Sequence, residues 1–418
     1  MKFIHTADIH LDSPLCGLAS YQNAPVEALR TASRDAFRKL VDEAVEQQVD
    51  FMVIAGDLYD GNWRDYNTGH FFVREMGRLN QAAIPVYLLY GNHDAENEMT
   101  RRLMFPPNVF VFDSRRPVTH RLEAHRVALH GRSFKEAATL ENLALGYPDP
   151  VPGWLNIGVL HTALEGYAAH ARYAPCTLAE LAAKGYDYWA LGHVHEHAVL
   201  SESPWVVFPG NLQGRHIRET GPRGAVLVTA DETGIRAVQR LIVDVMRWER
   251  LDVDVSTATD LQGAVLLAGR ALQALLAARS DGKPVSVRVT LGGRTAAHGA
   301  LFGLHTQLRE ELLAQAAAMA GDRMWIEKLR LETTPLVDAS QISERADAIA
   351  DLQELLAQVP LDEAFMRGLS EDLQLLTAKA PLELNEALPE FKAIRAGDVS
   401  GIVAAVTPSL LAHLAMPR

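Results

Sequence analysis

Cysteine is nearly absent from this chain: there are two in 418 residues, Cys16 and Cys176, far apart and outside any CxxC pattern. That excludes a disulfide framework and a thiolate metal site, and fits a cytoplasmic, disulfide-free protein. Long apolar runs are missing too. No stretch supplies the roughly 20 uninterrupted apolar residues of a spanning helix. The start Met1-Lys2-Phe3-Ile4-His5 passes directly into a strand pattern, leaving no room for a signal peptide. Nothing matches GxxxxGK followed by Ser or Thr, so the chain has no phosphate-cradling loop for ATP. A basic surplus is also lacking: 40 Lys+Arg against 52 Asp+Glu leave a net charge of −12, which at first argues against a polyanionic partner. Location weakens that objection, because residues 338–418 hold 13 Asp+Glu and only 6 Lys+Arg.

What is present is organised in three stretches, as expected when a chain exceeds what one hydrophobic core organises. Residues 1–243 alternate strands with helices and loops. The runs Phe51–Ala55 and Val86–Tyr90 are continuously apolar, reading as sheet interior, and helical spacing marks Asp35–Gln47 and Thr68–Asn80. Many later short strands with few helices suggest two packed sheets with helices outside, an α/β class. Residues 244–335 read as a small α/β module: strand Arg247–Val255, helix Thr259–Ala278, strand Val285–Leu291, helix His298–Met319 and strand Met324–Glu332. Thr257 to Asp260 has capping-box spacing for the first of these helices. Residues 336–418 read as a helical segment, with an apolar stripe at Ile342, Ala346, Ile349, Leu352, Leu355 and Leu356.

Five clusters of ligand-capable side chains follow strand patterns in the first stretch. They are Asp8-Ile9-His10, Gly56-Asp57-Leu58-Tyr59-Asp60, Gly91-Asn92-His93-Asp94, His161, and Gly192-His193-Val194-His195. Oxygen and imidazole donors without cysteine suit a pair of hard or borderline divalent ions such as Mn²⁺. Asp8 and His10, two apart, would share one face of a regular strand, and His193 and His195 repeat that spacing. Gly56 lets the backbone turn and aim Asp57 inward. A carboxylate has two oxygens, which makes Asp57 the natural bridge between two ions. Asn92 offers a neutral oxygen that adds no charge to repel phosphate.

Together these phrases resemble the calcineurin-like metallophosphoesterase superfamily. Phe3 to Pro14 and Gly56 to Asp60 look like the SbcD-type DNA repair exonucleases, and Phe208 to Pro222 resembles their YhaO branch in particular. The resemblance implies a two-sheet β-sandwich flanked by helices, with 1–243 as nuclease domain, 244–335 as capping domain and 336–418 as a segment for partner docking. It implies one ion on Asp8, His10, Asp57 and His195 and a second on Asp57, Asn92, His161 and His193, with a metal-bridging hydroxide attacking in line. His93 is implied as a non-ligand that stabilises the transition state or protonates the leaving oxygen. Asp94 is expected either to orient His93 or merely to close the turn. Asp60 stands where some relatives have histidine. DNA is the implied substrate, and a separate ATPase subunit the implied partner.

The basic run Arg215-His216-Ile217-Arg218 offers Arg215, His216 and Arg218 as a grip on a phosphate backbone, since guanidinium geometry matches phosphate oxygens. Solvation, or pairing with Glu219, explains those arginines equally well. His5, His120, His125, His130, His170 and His197 match no ligand position and read as ordinary core or surface histidines. Two other functions compete with the nuclease: a metallophosphoesterase for a small phosphodiester, phosphomonoester or phosphoprotein, and a non-catalytic DNA-binding scaffold. The tail could equally serve a homodimer or complete the protein's own core.

Overall fold

The structure, a computed structural model, describes residues 1–13, 26–60, 66–96, 103–165, 173–279, 281–336, 348–378, 389–404 and 406–407. The chain divides into two compact units, Met1–Glu249 with Lys283–Ser286, and Arg250–Gly282 with Val287–Arg418.

The first unit holds two six-stranded mixed sheets. One contains β1 (Lys2–Thr6), β2 (Phe51–Ala55), β3 (Val86–Leu89), β4 (Val109–Val111), β11 (Gly224–Asp231) and β12 (Gly234–Ile242), in the order β12-β11-β1-β2-β3-β4. The other contains β5 (Val118–Leu122), β6 (Val127–Gly131), β7 (Leu155–His161), β8 (Tyr188–Gly192), β9 (Ala198–Glu202) and β10 (Trp205–Phe208), in the order β5-β6-β7-β8-β10-β9. The continuous apolar runs are what strands buried on both faces require. Along β2, Phe51, Val53 and Ala55 enter the core between the sheets, while Met52 and Ile54 pack with Phe37 of α1 (Val26–Glu46) and Phe72 of α2 (Tyr66–Gln81). In β8, Tyr188 and Ala190 face the inter-sheet core, and Trp189 and Leu191 an outer cluster with Tyr147 and Phe208. This is the two-sheet, helix-flanked α/β fold the sequence led us to expect.

Both helices extend beyond the expected spans, α1 by nine residues toward its N-terminus, and two short helices, α3 (Asn92–Glu96) and α4 (Leu178–Ala183), come later in this unit. The hairpin β11–β12 adds two strands beyond those named from the sequence, and β11 runs antiparallel beside β1, pairing Phe3 with Val228.

A three-stranded sheet is formed by β13 (Arg247–Asp254), β14 (Val285–Thr295) and β15 (Met324–Pro335) in that order, with the unit division falling within β13. Its strands are parallel, as crossover helices between them demand. The first crossover, α5 (Leu261–Ala277), is capped by Asp260, whose side chain accepts from Gly263 N at 2.8 Å. The expected box starting at Thr257 is thus replaced by a carboxylate directly before the apolar run. The second crossover breaks at Leu304 (φ −112°, ψ 29°) into α6 (His298–Gly303) and α7 (His305–Ala320). C-terminal helices α8 (Ala348–Gln358), α9 (Glu363–Ala378) and α10 (Pro389–Arg395) follow. Of the tail's apolar stripe, Ile342 and Ala346 lie outside the described residues, and Leu355 is 61% exposed. Among the described residues, no helix is long and apolar enough to cross a membrane.

Candidate metal centre

Asp8 and His10 lie past the end of β1, in left-handed backbone with φ 50° and 44°. They are not on a regular strand, and the expected two-apart strand geometry is corrected accordingly. Asp8 N donates to Gly56 O at 3.0 Å and His10 N to Asp57 O at 3.1 Å, so the loop after β1 is zipped to the loop after β2. Asp57 (φ 54°) and His193 (φ 99°) share the unusual conformation. Each such residue costs of order 1–3 kcal/mol, strain that persists only where the surroundings over-determine it. Here it gathers on four of the expected ligand positions.

Three sets of donors result, one of them His10, Asp60 and His93. Asp8, His10 and His195 form one group whose ligand-capable atoms lie within 4.8 Å of one another, and Asp57, His161 and His193 form another. His10 Nε2 is 3.2 Å from His195 Nε2, and His195 Nε2 is 3.9 Å from Asp8 Oδ1. Both oxygens of Asp8 also take the backbone N–H of His193, at 3.1 and 3.0 Å. Asp57 Oδ2 stands between the groups, 3.3 Å from His161 Nε2 and 3.9 Å from His10 Nε2. Its Oδ1 accepts from His93 N at 3.0 Å. Asn92 Oδ1 is 3.0 Å from His161 Nε2.

The donor chemistry fits divalent cations. His161 Nδ1 lies 2.9 Å from the Ala55 carbonyl, which only accepts, so Nδ1 carries the proton. The lone pair of Nε2 then meets oxygens of Asn92 and Asp57, a cluster of electron pairs that needs a positive charge among them. Without a metal that charge is a proton: burial alone would lower the His161 pKa, but the Asp57 charge overrides it and pushes the pKa up to about 9. Burial likewise opposes ionisation of Asp57, yet the charge and hydrogen bond of His161 hold its carboxyl well below the usual range. Asp8, more deeply desolvated than compensated, is shifted up. His10 falls to about 3 through burial and the Arg215 charge, leaving it neutral and able to coordinate. The packing admits no spare atoms here. A Cβ on Gly192 would sit 2.0 Å from Ala55 O, and one on Gly91 2.3 Å from Asp57 Oδ1.

His93 differs from these residues in being 37% exposed at its side chain, open to a substrate. Asp94 makes the contacts of the second of its two expected roles, closing the turn: its carboxylate accepts from Leu58 N at 3.2 Å, Tyr59 N at 3.0 Å and Gly91 N at 3.0 Å. Burial and the nearby Asp57 push that carboxyl up to about 7. The carboxylate facing His93 is Asp60, Oδ1 3.5 Å from Nδ1, and the same oxygen is 3.6 Å from His10 Nδ1. Ser13 Oγ anchors its other oxygen at 2.6 Å. In the sequence Asp60 stood in the second ligand-capable cluster, where some relatives have histidine, with no role assigned to it.

Arg215 lies at this centre. Its Nη1 is 3.8 Å from Asp60 Oδ1, and its Nη2 is 3.5 Å from Glu219 Oε1 and 3.3 Å from His195 Nδ1. The pairing with Glu219 weighed from sequence is therefore formed. His216 Nε2 is 3.7 Å from the same Glu219 oxygen, while Arg218 is exposed. Asp12, outside the centre, is held by Arg34 of α1 and Thr68 of α2. Of the histidines set aside, His5 is buried between Tyr188 Oη and Leu191 O, its pKa lowered by burial to about 3. His130 bonds Thr119 and Asn156, and His197 bonds Phe208 O; His170 lies outside the described residues.

Two packed sheets that deliver carboxylates and imidazoles from several strand ends to one point define a metal-dependent phosphoesterase. Residues 1–197 match the calcineurin-like phosphoesterase family, and residues 248–334 match the middle domain of metallophosphoesterase YhaO. Metallophosphoesterase YhaO of Bacillus subtilis is 35% identical over 396 residues, covering 94% of this chain and 91% of that protein. The chain belongs to the YhaO branch of the calcineurin-like metallophosphoesterases. The DNA double-strand break repair protein Mre11 of Methanopyrus kandleri is 29% identical over 287 residues, 60% of this chain, which spans only 58% of that protein. A dimetal phosphatase from Danio rerio is 13% identical with a TM-score of 0.33, over 58% of this chain and 98% of that one.

Proposed function

We propose that this chain is a two-metal DNA exonuclease acting in DNA repair beside a separate ATPase subunit. In this reading residues 1–243 are the nuclease domain, 244–335 a capping domain and 336–418 a docking segment. The observation that carries the chemistry is the place of Asp57 Oδ2 between His161 and His10, where one carboxylate could serve two cations. Asp8, His10 and His195 would hold one ion with Asp57, and Asn92, His161 and His193 the other, with Mn²⁺ suited to such donors. When bound, such ions neutralise phosphodiester oxygens and lower the pKa of an attacking water. The protein's own part is positional. Asn92 adds an oxygen without charge, and His93, backed by Asp60 at Nδ1, presents Nε2 to the leaving oxygen as proton donor.

DNA as substrate is supported by the likeness to Mre11 and by Arg218, whose exposed guanidinium suits a backbone phosphate away from the reacting one. His216 stands beside it, and Arg215 at the inner end, near the reacting phosphate. Arg218→Ala is expected to slow Mn²⁺-dependent cleavage of labelled DNA while leaving a small chromogenic phosphodiester untouched, because a remote contact helps only a substrate that reaches it. Arg215→Ala should slow both. Assays on single- and double-stranded DNA decide the matter. Turnover of the small diester with no cleavage of either DNA would replace this reading with a phosphoesterase for small substrates.

The described tail exposes Leu355, Leu361, Phe365 and Leu375, a surface suited to a partner. Removing residues after 336 should leave small-diester turnover intact and abolish capture of the purified ATPase. Capture undiminished by the truncation, or a folded truncated protein without turnover, would refute the docking role.

A further inference from the structure

An imidazole that gives one ring nitrogen to a cation carries its proton on the other, and that proton needs an acceptor. For His161 the acceptor is the Ala55 carbonyl. For His195 it is a side chain: Nδ1 lies 2.7 Å from Glu219 Oε1. A carboxylate only accepts, so Nδ1 is the donor and the Nε2 lone pair faces Asp8 and His10.

Glu219 is built into place. It is 6% exposed, and its Oε2 accepts from Asn211 Nδ2 at 3.0 Å and from Arg215 N at 2.7 Å. With both oxygens engaged, the carboxylate cannot turn away. Asn211 Oδ1 in turn takes Arg223 Nη1 at 3.3 Å, and the same Nη1, on a residue only 2% exposed, donates to the His195 carbonyl. Ring and backbone of His195 are thus gripped by one network. The loop carrying it is pinned at its other side, where Gln213 bonds Val245 N at 3.0 Å and Met246 O at 2.9 Å, and Trp248 Nε1 donates to Gly214 O at 2.9 Å. Arg215 can only donate, so with the Nδ1 proton committed, its attraction is to the Glu219 carboxylate. Asn211, Arg215, Glu219 and Arg223 fall between the stretches matched to the two families, 1–197 and 248–334.

We infer that Glu219 is a positioning residue of the metal centre, which holds the His195 proton on Nδ1 and so presents Nε2 to a divalent cation. The inference rests on the reading that His195 faces a bound ion. The position of Oε2, between two N–H donors, makes glutamine a sharp probe. In Glu219→Gln the amide oxygen stays with those donors and the NH₂ turns toward His195, which must then accept at Nδ1 and carry its proton on Nε2, the wrong tautomer.

The test is calorimetric titration of chelator-stripped, full-length protein with Mn²⁺, for wild type, E219Q, H195Q and the double variant. Loss of an outer-shell partner costs about 10–100-fold in metal affinity. E219Q is therefore expected to weaken one of two ions by that factor and spare the other. In the H195Q background it should change nothing further, because Glu219 acts only through that ring. A general packing role would add its cost in both backgrounds. Wild-type affinity for both ions in E219Q, or an equal loss with and without His195, would overturn the inference. A wild type that takes up no Mn²⁺ would overturn the metal reading itself, and this inference with it. If E219Q does not melt cooperatively, E219D keeps the charge but withdraws it by one methylene. The same selective loss is expected there, and full affinity would count against the role.

Discussion

Asp57→Ala is expected to empty both metal positions and abolish hydrolysis of every phosphodiester substrate. The carboxylate is 1% exposed, faces His161 and His10 through Oδ2, and holds the backbone of His93 through Oδ1. The nearby carboxylates lie elsewhere: Asp8 on the His195 side, Asp60 beside His10 and His93, and Asp94 on three backbone donors. Even an outer-shell partner costs about 10–100-fold in affinity, so a carboxylate shared by both ions should cost more than about 100-fold for each. Removing one partner of a buried charge pair also destabilises by about 3–5 kcal/mol, so the melting temperature of the metal-free protein should fall as well. Elemental analysis after dialysis against micromolar Mn²⁺ gives the answer. Retention of one full equivalent would show that Asp57 serves a single ion.

His93→Ala should do the opposite: both ions stay and turnover disappears. The His93 side chain is the most open of the histidines at the centre, and what ties it to Asp57 is its backbone N–H, which alanine keeps. A general acid contributes about 10²–10⁴-fold, and the whole loss should appear in kcat with KM nearly unchanged, as for a group that acts only in the transition state. The geometry also allows a different outcome, since His93 can join His10 and Asp60 around a cation. If His93→Ala binds one ion fewer than wild type, the ring is a ligand and the division of roles falls.

The hydrolytic centre was legible in the sequence because its parts sit where local physics must announce them. A strand buried on both faces has to be continuously apolar, as Phe51–Ala55 and Tyr188–Leu191 are. Where such a run stops, the next polar residue is delivered to the sheet's edge. Five polar clusters after five such runs therefore converge, and Asp8, His10, Asp57, Asn92, His161, His193 and His195 do lie together. The α/β alternation after Arg247 was legible for the same reason, through its change from strand to helical spacing.

Other features had no local signature. The left-handed backbone of Asp8 and His10 is imposed by pairing with residues 48 and 47 positions away, Gly56 and Asp57. For Asp94 the sequence left two roles open, orienting His93 or closing the turn, and only the fold shows it on the backbone of Leu58 and Tyr59, with Asp60 at the ring. The sequence offered Arg215 as a phosphate grip or a partner of Glu219, and only the fold sets it between Glu219 and Asp60. Glu219 meets His195 only because β11 returns to lie against β1 and carries the loop before it across the centre. Residue type and spacing thus determined which side chains this protein brings to its strand ends. Which nitrogen each histidine offers, and which carboxylate stands behind it, was decided by tertiary structure, because a hydrogen bond acts over about 3 Å and only the folded chain sets which distant groups come that close.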